Sequence, residues 1–153
     1  MFFEKLTYFC IVLLFFIFMK KLLEKLNYKD QQRIALLNAD NKFSIRFAAT
    51  LKNITIDTEI DPRFPYSFIM IFVKNTAEVD QVAYAVIHNL SDDGILWFCF
   101  PRKTSKKLTT DLSKDFGWKL LNDSGFYKRR LITVNTDWSA LSFKHEKHIK
   151  KNR

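Results

Sequence analysis

The hydrophobic pattern changes character at residue 19. Residues 6–19 (LTYFCIVLLFFIFM) carry no charge. At about 1.5 Å per residue they span about 21 Å as a helix, against about 30 Å of bilayer hydrocarbon. Lys5, Lys20 and Lys21 flank the run and can snorkel to the headgroups. No small-residue cleavage site follows it. Three readings stand: a short uncleaved membrane anchor, an upstream extension ahead of a start at Met19, or a buried core helix. An all-round apolar helix suits the core of so small a domain least. For an anchor, Lys20, Lys21 and Lys25 outweigh Lys5 and put the remainder in the cytoplasm.

Beyond residue 19 the periods switch between helical and extended. Residues 22–26 predict a short amphipathic helix, and residues 33–37 (RIALL) a buried strand. A turn at 38–41 leads to a helix over 43–51, with Phe43, Phe47 and Leu51 on one face. Residues 54–60 alternate Ile with Thr and Asp, predicting a strand with one wet face. Residues 67–73 (SFIMIFV) are continuously apolar, as in a strand covered on both sides. The clearest helix places Val79, Val82, Ala83, Val86, Ile87 and Leu90 on one stripe, with Asn75 and Glu78 as its cap. Residues 95–100 (ILWFCF) predict another buried strand. Residues 111–124 read as a helix capped by Asp111 and stopped at Gly125. Strands over 126–136 and 139–144 close the domain through a tight connection at Asp137-Trp138. They must therefore be antiparallel. A charged tail follows from His145.

The resulting order, β-α-β-β-α-β-α-β-β, predicts an α/β fold. Its architecture is a Rossmann-like three-layer α/β/α sandwich with a mostly parallel sheet ending in an antiparallel strand pair. The 153 residues suffice for one domain without disulfide or metal staples. The expected division is an apolar segment over 1–18, a domain over 19–145 and a basic tail over 146–153. Cys10 and Cys99 both read as buried thiols of a reducing compartment. The formal net charge is +9, and it is concentrated. Residues 1–100 hold 11 basic and 11 acidic side chains, whereas residues 101–153 hold 14 basic and 5 acidic. The last third therefore favours an anionic ligand, an acidic partner or an acidic membrane surface, or else presents only a solvated basic face.

Several elements of the second half form a pattern. They are Trp97, Pro101-Arg102-Lys103-Thr104-Ser105, Thr110-Asp111-Leu112, Gly117-Trp118, Gly125-Phe126 and Trp138-Ser139-Ala140-Leu141-Ser142-Phe143. Together with residues 20–39 (KKLLEKLNYKDQQRIALLNA), they make the chain resemble a small bacterial family of unknown function with a W…P-K-x-S…T-D…G-W…W-S-A-L-x-F signature. The likeness covers residues 19–145. It implies a reduced class I methyltransferase-like fold and no established activity.

An adenosyl-methionine site in such a fold calls for a glycine-rich turn after the first strand, where backbone must approach the ligand. Here that turn is Asn38-Ala39-Asp40-Asn41-Lys42, without glycine, so loss of adenosyl-methionine binding is expected. Asp57 or Glu59 stands where a ribose-binding acid would fall, or else belongs with Asp61 to the wet face of an edge strand. The better candidate is the loop after residue 100. Arg102, Lys103 and Ser105, with Thr110 and Asp111 at the start of the expected helix, could hold a phosphate or carboxylate. They could equally be a structural loop in which Asp111 caps its own helix.

Lys128, Arg129 and Arg130, with the tail cations, suggest a basic patch or a charge-protected edge strand. No RNA-binding or helix-turn-helix signature accompanies them, so nucleic acid is disfavoured. His145 and His148 lack the partners of a metal site. Ser139 lacks a nucleophile elbow. Trp97, Trp118 and Trp138 read as packing residues. The sequence therefore assigns no catalytic residue, metal or cofactor. It favours a non-catalytic module binding an anionic ligand or partner at the loop after residues 95–100. The alternatives are an adenosyl-methionine-dependent transferase with an altered turn and a membrane-tethered interaction protein.

Overall fold

Six strands form one sheet in the order β2-β1-β3-β4-β6-β5. The computed structural model describes residues 2–150; Met1 and residues 151–153, with the expected tail cations Lys151 and Arg153, lie outside them. The elements are α1 (Phe2–Lys25), β1 (Arg33–Leu37), α2 (Asn41–Thr50), β2 (Thr55–Asp57), β3 (Tyr66–Phe72), α3 (Thr76–Asn89), β4 (Leu90–Pro101), α4 (Lys119–Asp123), β5 (Phe126–Thr133) and β6 (Trp138–His145). Strands β1 to β4 are mutually parallel, and β6 runs antiparallel between β4 and β5.

The continuous apolar runs predicted as strands lie at the centre because both faces of the sheet are covered. On one face Ile69, Ile71 and Phe98 meet Val79, Ala83 and Val86 of α3 and Leu121 of α4. On the other, Met70, Phe72 and Trp97 meet Leu22, Leu23 and Leu26 at the end of α1 and Phe43 and Phe47 of α2. This is the expected three-layer α/β/α arrangement. Full burial of Phe47, Phe68 and Phe98 contributes about 1.5–3 kcal/mol each.

Helix α1 runs unbroken through residues 18 and 19. The short helix expected over 22–26 is thus the end of a 24-residue element. Its last turns are core: Met19, Leu22 and Leu23 are buried, as is Leu26 just beyond them, whose carbonyl accepts a 2.8 Å hydrogen bond from Trp97 Nε1. Its earlier residues are exposed, Phe3 at 81% and Leu14 at 66%. Cys10 shares that exposure, contrary to expectation, whereas Cys99 is buried and its thiol is pushed well up by desolvation.

Other elements also depart from the sequence pattern: β4 starts at Leu90, the residue expected to close the α3 stripe, five residues ahead of the expected strand. The strand expected over 54–60 shrinks to β2, because after Asp57 the chain leaves the sheet. It turns so that the Asp61 amide donates to Tyr66 Oη at 3.0 Å. The helix expected over 111–124 forms only as α4. Gly117 adopts φ 104°, and the Leu112 side chain lies where a Cβ on Gly117 would sit, so no helix can run through it. Leu112 and Phe116, which a helix over 111–124 would put on one face, diverge: Leu112 is buried and Phe116 is 60% exposed. Finally, β5 is an edge strand whose register shifts between Lys128 and Leu131. That shift breaks the simple alternation of Lys128, Arg129 and Arg130, and bulges of this kind protect sheet edges from pairing.

Candidate functional site

Between β1 and β3 the direction of strand order reverses. In open α/β sheets, ligands bind beyond the C-terminal ends of strands at such a point. Here that edge is built from the turns after β1 and β3, the long loop after β4 and the β5–β6 connection.

After β1, Asn38 adopts φ 60°. The left-handed turn that glycine would supply is therefore present, but it carries an asparagine side chain. Asp40 then caps α2, accepting from the Phe43 amide at 2.7 Å. After β3, Asn75 caps α3 by accepting from the Glu78 amide, and Glu78 accepts from the Lys74 amide at 2.6 Å. At each helix start the cap side chain thus occupies an amide that could otherwise face an anion, that of Phe43 in α2 and of Glu78 in α3.

The Asp111 carboxylate completes this closure. Its two oxygens accept from the Thr76 amide at 3.0 Å and the Thr76 hydroxyl at 2.8 Å. Asp111 caps α3, on a different element from the one expected, and it fastens the loop after β4 across the start of that helix. The Thr76 hydroxyl and amide hold its carboxyl below the usual carboxylate range.

The other residues singled out by sequence share this loop. Ser105 donates to Asp137 Oδ1 at 2.7 Å and accepts from the amides of Lys107 and Leu108. Thr110 accepts from the Leu112 amide at 3.0 Å. The Arg102 amide donates to the Asp137 carbonyl at 2.8 Å, and its guanidinium reaches the Asn135 carbonyl at 3.4 Å. Lys103 is exposed. Ser105, Thr110 and Asp111 thus serve the loop itself, and Arg102 and Lys103 present cations.

Asp57 is not a free ribose acceptor, and its side chain is only 17% exposed. Its carboxylate pairs with Arg33 Nη2 at 2.7 Å and accepts from the Arg33 Nε–H and from Tyr66 Oη. Arg33 also reaches Asp61 at 3.2 Å and lies 4.2 Å above the Phe64 ring. Burial, then the bond to Asp57, raises the Tyr66 phenol. The Arg63 amide, then Arg33, lowers the Asp61 carboxyl. Glu59 stays exposed.

Electrostatically the edge is lopsided. Its carboxylates Asp40, Glu78, Asp111 and Asp137 all accept hydrogen bonds from backbone or hydroxyl groups of the fold. Its cations Lys42, Arg46, Lys74, Lys103, Lys106 and Lys107 have no carboxylate within ion-pair distance among the described residues. The ion pairs lie elsewhere, as at Lys128–Asp115, Lys144–Asp93 and Lys147–Asp92. The last of these, with His148 Nε2 at 3.0 Å from Asp92, docks the start of the expected tail on the N-terminal edge of β4.

Sequence reading missed two hollows. One, of about 430 Å³, opens at the opposite edge between Lys29, Ser67, Asp93, Arg129 and Lys144. It arises where β4 departs from β3 between Leu90 and Ile95, around Asp93 with φ 55°. The other, of about 330 Å³, lies on the C-terminal edge, between α1, α2 and the β5–β6 connection. No local motif marks either one, because each is formed by segments distant in sequence.

No family model matches the chain, and no curated protein does. Solved structures do. A putative type 11 methyltransferase from Sulfolobus solfataricus is similar with a TM-score of 0.58 and 12% identity, over 88% of this chain and 94% of that one. A DhpI–SAH complex has a TM-score of 0.54 and 10% identity, over 80% of this chain and 81% of that one. Phosphoethanolamine N-methyltransferase 2 of Haemonchus contortus, in complex with S-adenosyl-L-methionine, has a TM-score of 0.54 and 12% identity, over 84% of this chain and 37% of that one. At these identities the likeness establishes the fold: a six-stranded, methyltransferase-like α/β sheet with a terminal antiparallel pair.

Proposed function

We propose that this chain is a non-catalytic module on a methyltransferase-like fold that holds an anionic partner at the C-terminal edge of its sheet, with Arg102 and Lys103 among the contacting cations. One observation carries the reading. The edge's carboxylates are spent on capping and loop bonds, while its lysines and arginines stand without ion-pair partners among the described residues. Ser105, Thr110 and Asp111 hold the loop that displays those cations. Residues 1–18 serve as a membrane anchor, residues 19–145 as the folded module, and residues 146–153 extend it as a basic tail. Lys20, Lys21 and Lys25 put the module on the cytoplasmic face. The test is titration of the detergent-solubilised full chain with inorganic polyphosphate. The wild type binds with a steep salt dependence, and Lys103→Glu/Lys106→Glu/Lys107→Glu binds at least tenfold more weakly at an unchanged melting temperature. Equal affinities would overturn the reading.

A second reading, an adenosyl-methionine-dependent transferase with an altered turn, is favoured by Asn38. It keeps the left-handed turn after β1, and two of the similar structures carry SAH or S-adenosyl-L-methionine. Against it stand the capped helix starts and the engaged Asp57. Titration with S-adenosylhomocysteine separates the two.

A further inference from the structure

The geometry points to an anionic phospholipid as the partner of this edge, its headgroup phosphate seated in the groove where α1 leaves the domain; this rests on the reading of the edge given above. One wall of the groove is Phe15, Phe18 and Leu22 of α1, and its rim carries Lys42, Arg46 and Lys107. The acids that share it are already committed, Asp40 to the α2 cap and Asp137 to Ser105. An apolar wall beside three cations matches the join between acyl chains and phosphate.

Helix α1 supplies the independent observation. Phe3–Lys25 is 23 residues long and holds an 18-residue window of mean hydropathy 2.1, long and apolar enough to cross a bilayer. Phe18 lies on the groove beside Lys42 and Lys107 at the C-terminal edge, and residues 8–16 continue beside Ile45, Arg46, Ala49 and Thr50 of α2 with most of their side chains exposed. Residues 3–18 rise about 24 Å, short of about 30 Å of hydrocarbon. A span this short draws the attached edge into the headgroup layer. The boundary residues are built for that layer: Arg46 lies 3.9 Å over the Phe15 ring and Lys20 4.7 Å over that of Phe16. Long cations of this kind keep their charge at the interface while their stems cover apolar rings.

The experiment uses the full chain in nanodiscs, either of neutral phosphatidylcholine or with about one third phosphatidylglycerol. A reporter cysteine replaces Thr136, which is exposed on the groove, in a Cys10→Ala background; Cys99 is buried. A membrane-impermeant maleimide reports access. Each cation near an anionic surface adds about fivefold to the affinity, so labelling slows at least tenfold in anionic discs. Lys42→Glu/Arg46→Glu/Lys107→Glu removes the difference, and Lys29→Glu/Arg129→Glu/Arg130→Glu, matched in charge on the opposite edge, keeps it. Equal labelling in both discs, with polyphosphate still slowing it, would overturn the lipid assignment and leave the anionic edge standing. Equal labelling that polyphosphate does not slow would overturn both. Extraction of the full chain from vesicles by alkaline carbonate would overturn the seating on α1.

Discussion

Replacing Trp97 by Phe tests whether the end of α1 is a structural member of the domain. Trp97 is 2% exposed and donates its indole N–H to the carbonyl of fully buried Leu26 at 2.8 Å. Phenylalanine keeps an aromatic ring but removes the donor, stranding a buried acceptor at a cost of about 1–3 kcal/mol. The lost ring volume adds about 1–2 kcal/mol, in line with other modest truncations in cores. The total is about 2–5 kcal/mol, and for a chain of this size each kcal/mol lowers Tm by about 2–4 °C. The full-length variant in detergent should therefore melt about 4–20 °C below wild type by circular dichroism. Trypsin should also cut faster at Lys20, Lys21 and Lys25, because the same bond anchors the helix. Trp118→Phe is the comparison. It loses an equivalent bond to the Ser113 carbonyl on the other face of the sheet and should lower Tm without exposing those lysines. A Trp97→Phe melt within about 1 °C of wild type, with unchanged proteolysis, would refute the reasoning.

Gly117→Ala should destabilise by about 1–3 kcal/mol, since φ is 104° and the new Cβ would lie 2.3 Å from Leu112 Cδ2; chemical denaturation checks this. Asn38→Gly should leave stability nearly unchanged, whereas Asn38→Val should cost about 1–2 kcal/mol at φ 60°, again by denaturation. Asp111→Asn should loosen the 101–118 loop, seen as faster amide exchange there, and its effect should depend on pH. The Asp111 carboxyl is held below its usual value by Thr76, so its contribution is complete above about pH 4 and fades as pH falls through the depressed folded value. The gap between wild type and Asp111→Asn should close on that acid side.

The sheet was readable because its evidence is local. Runs such as residues 67–73 and 95–100 are too apolar to be anything but doubly covered strands, and Asn75 with Glu78 marks the start of α3 within four residues. The fate of Asp111 was not readable. Its sequence neighbours offer it a helix to cap, and only the fold brings Thr76 within 3.0 Å. Gly117 is the local clue that no helix runs through residues 111–124, although Leu112, Phe116 and Leu120 stand four apart as on a helix face. Asp57 met Arg33 and Tyr66 through the sheet register, which pairs Ala35 with Asp57, and the groove beside Lys42 and Lys107 joins segments more than sixty residues apart.

Calorimetric titration of the full chain with S-adenosylhomocysteine at low salt tests most simply whether the capped C-terminal edge takes an adenosyl ligand. No saturable heat is expected up to about 1 mM, an affinity weaker than about −4 kcal/mol. A dissociation constant in the micromolar range, lost in Asn38→Val, would contradict it and restore the transferase.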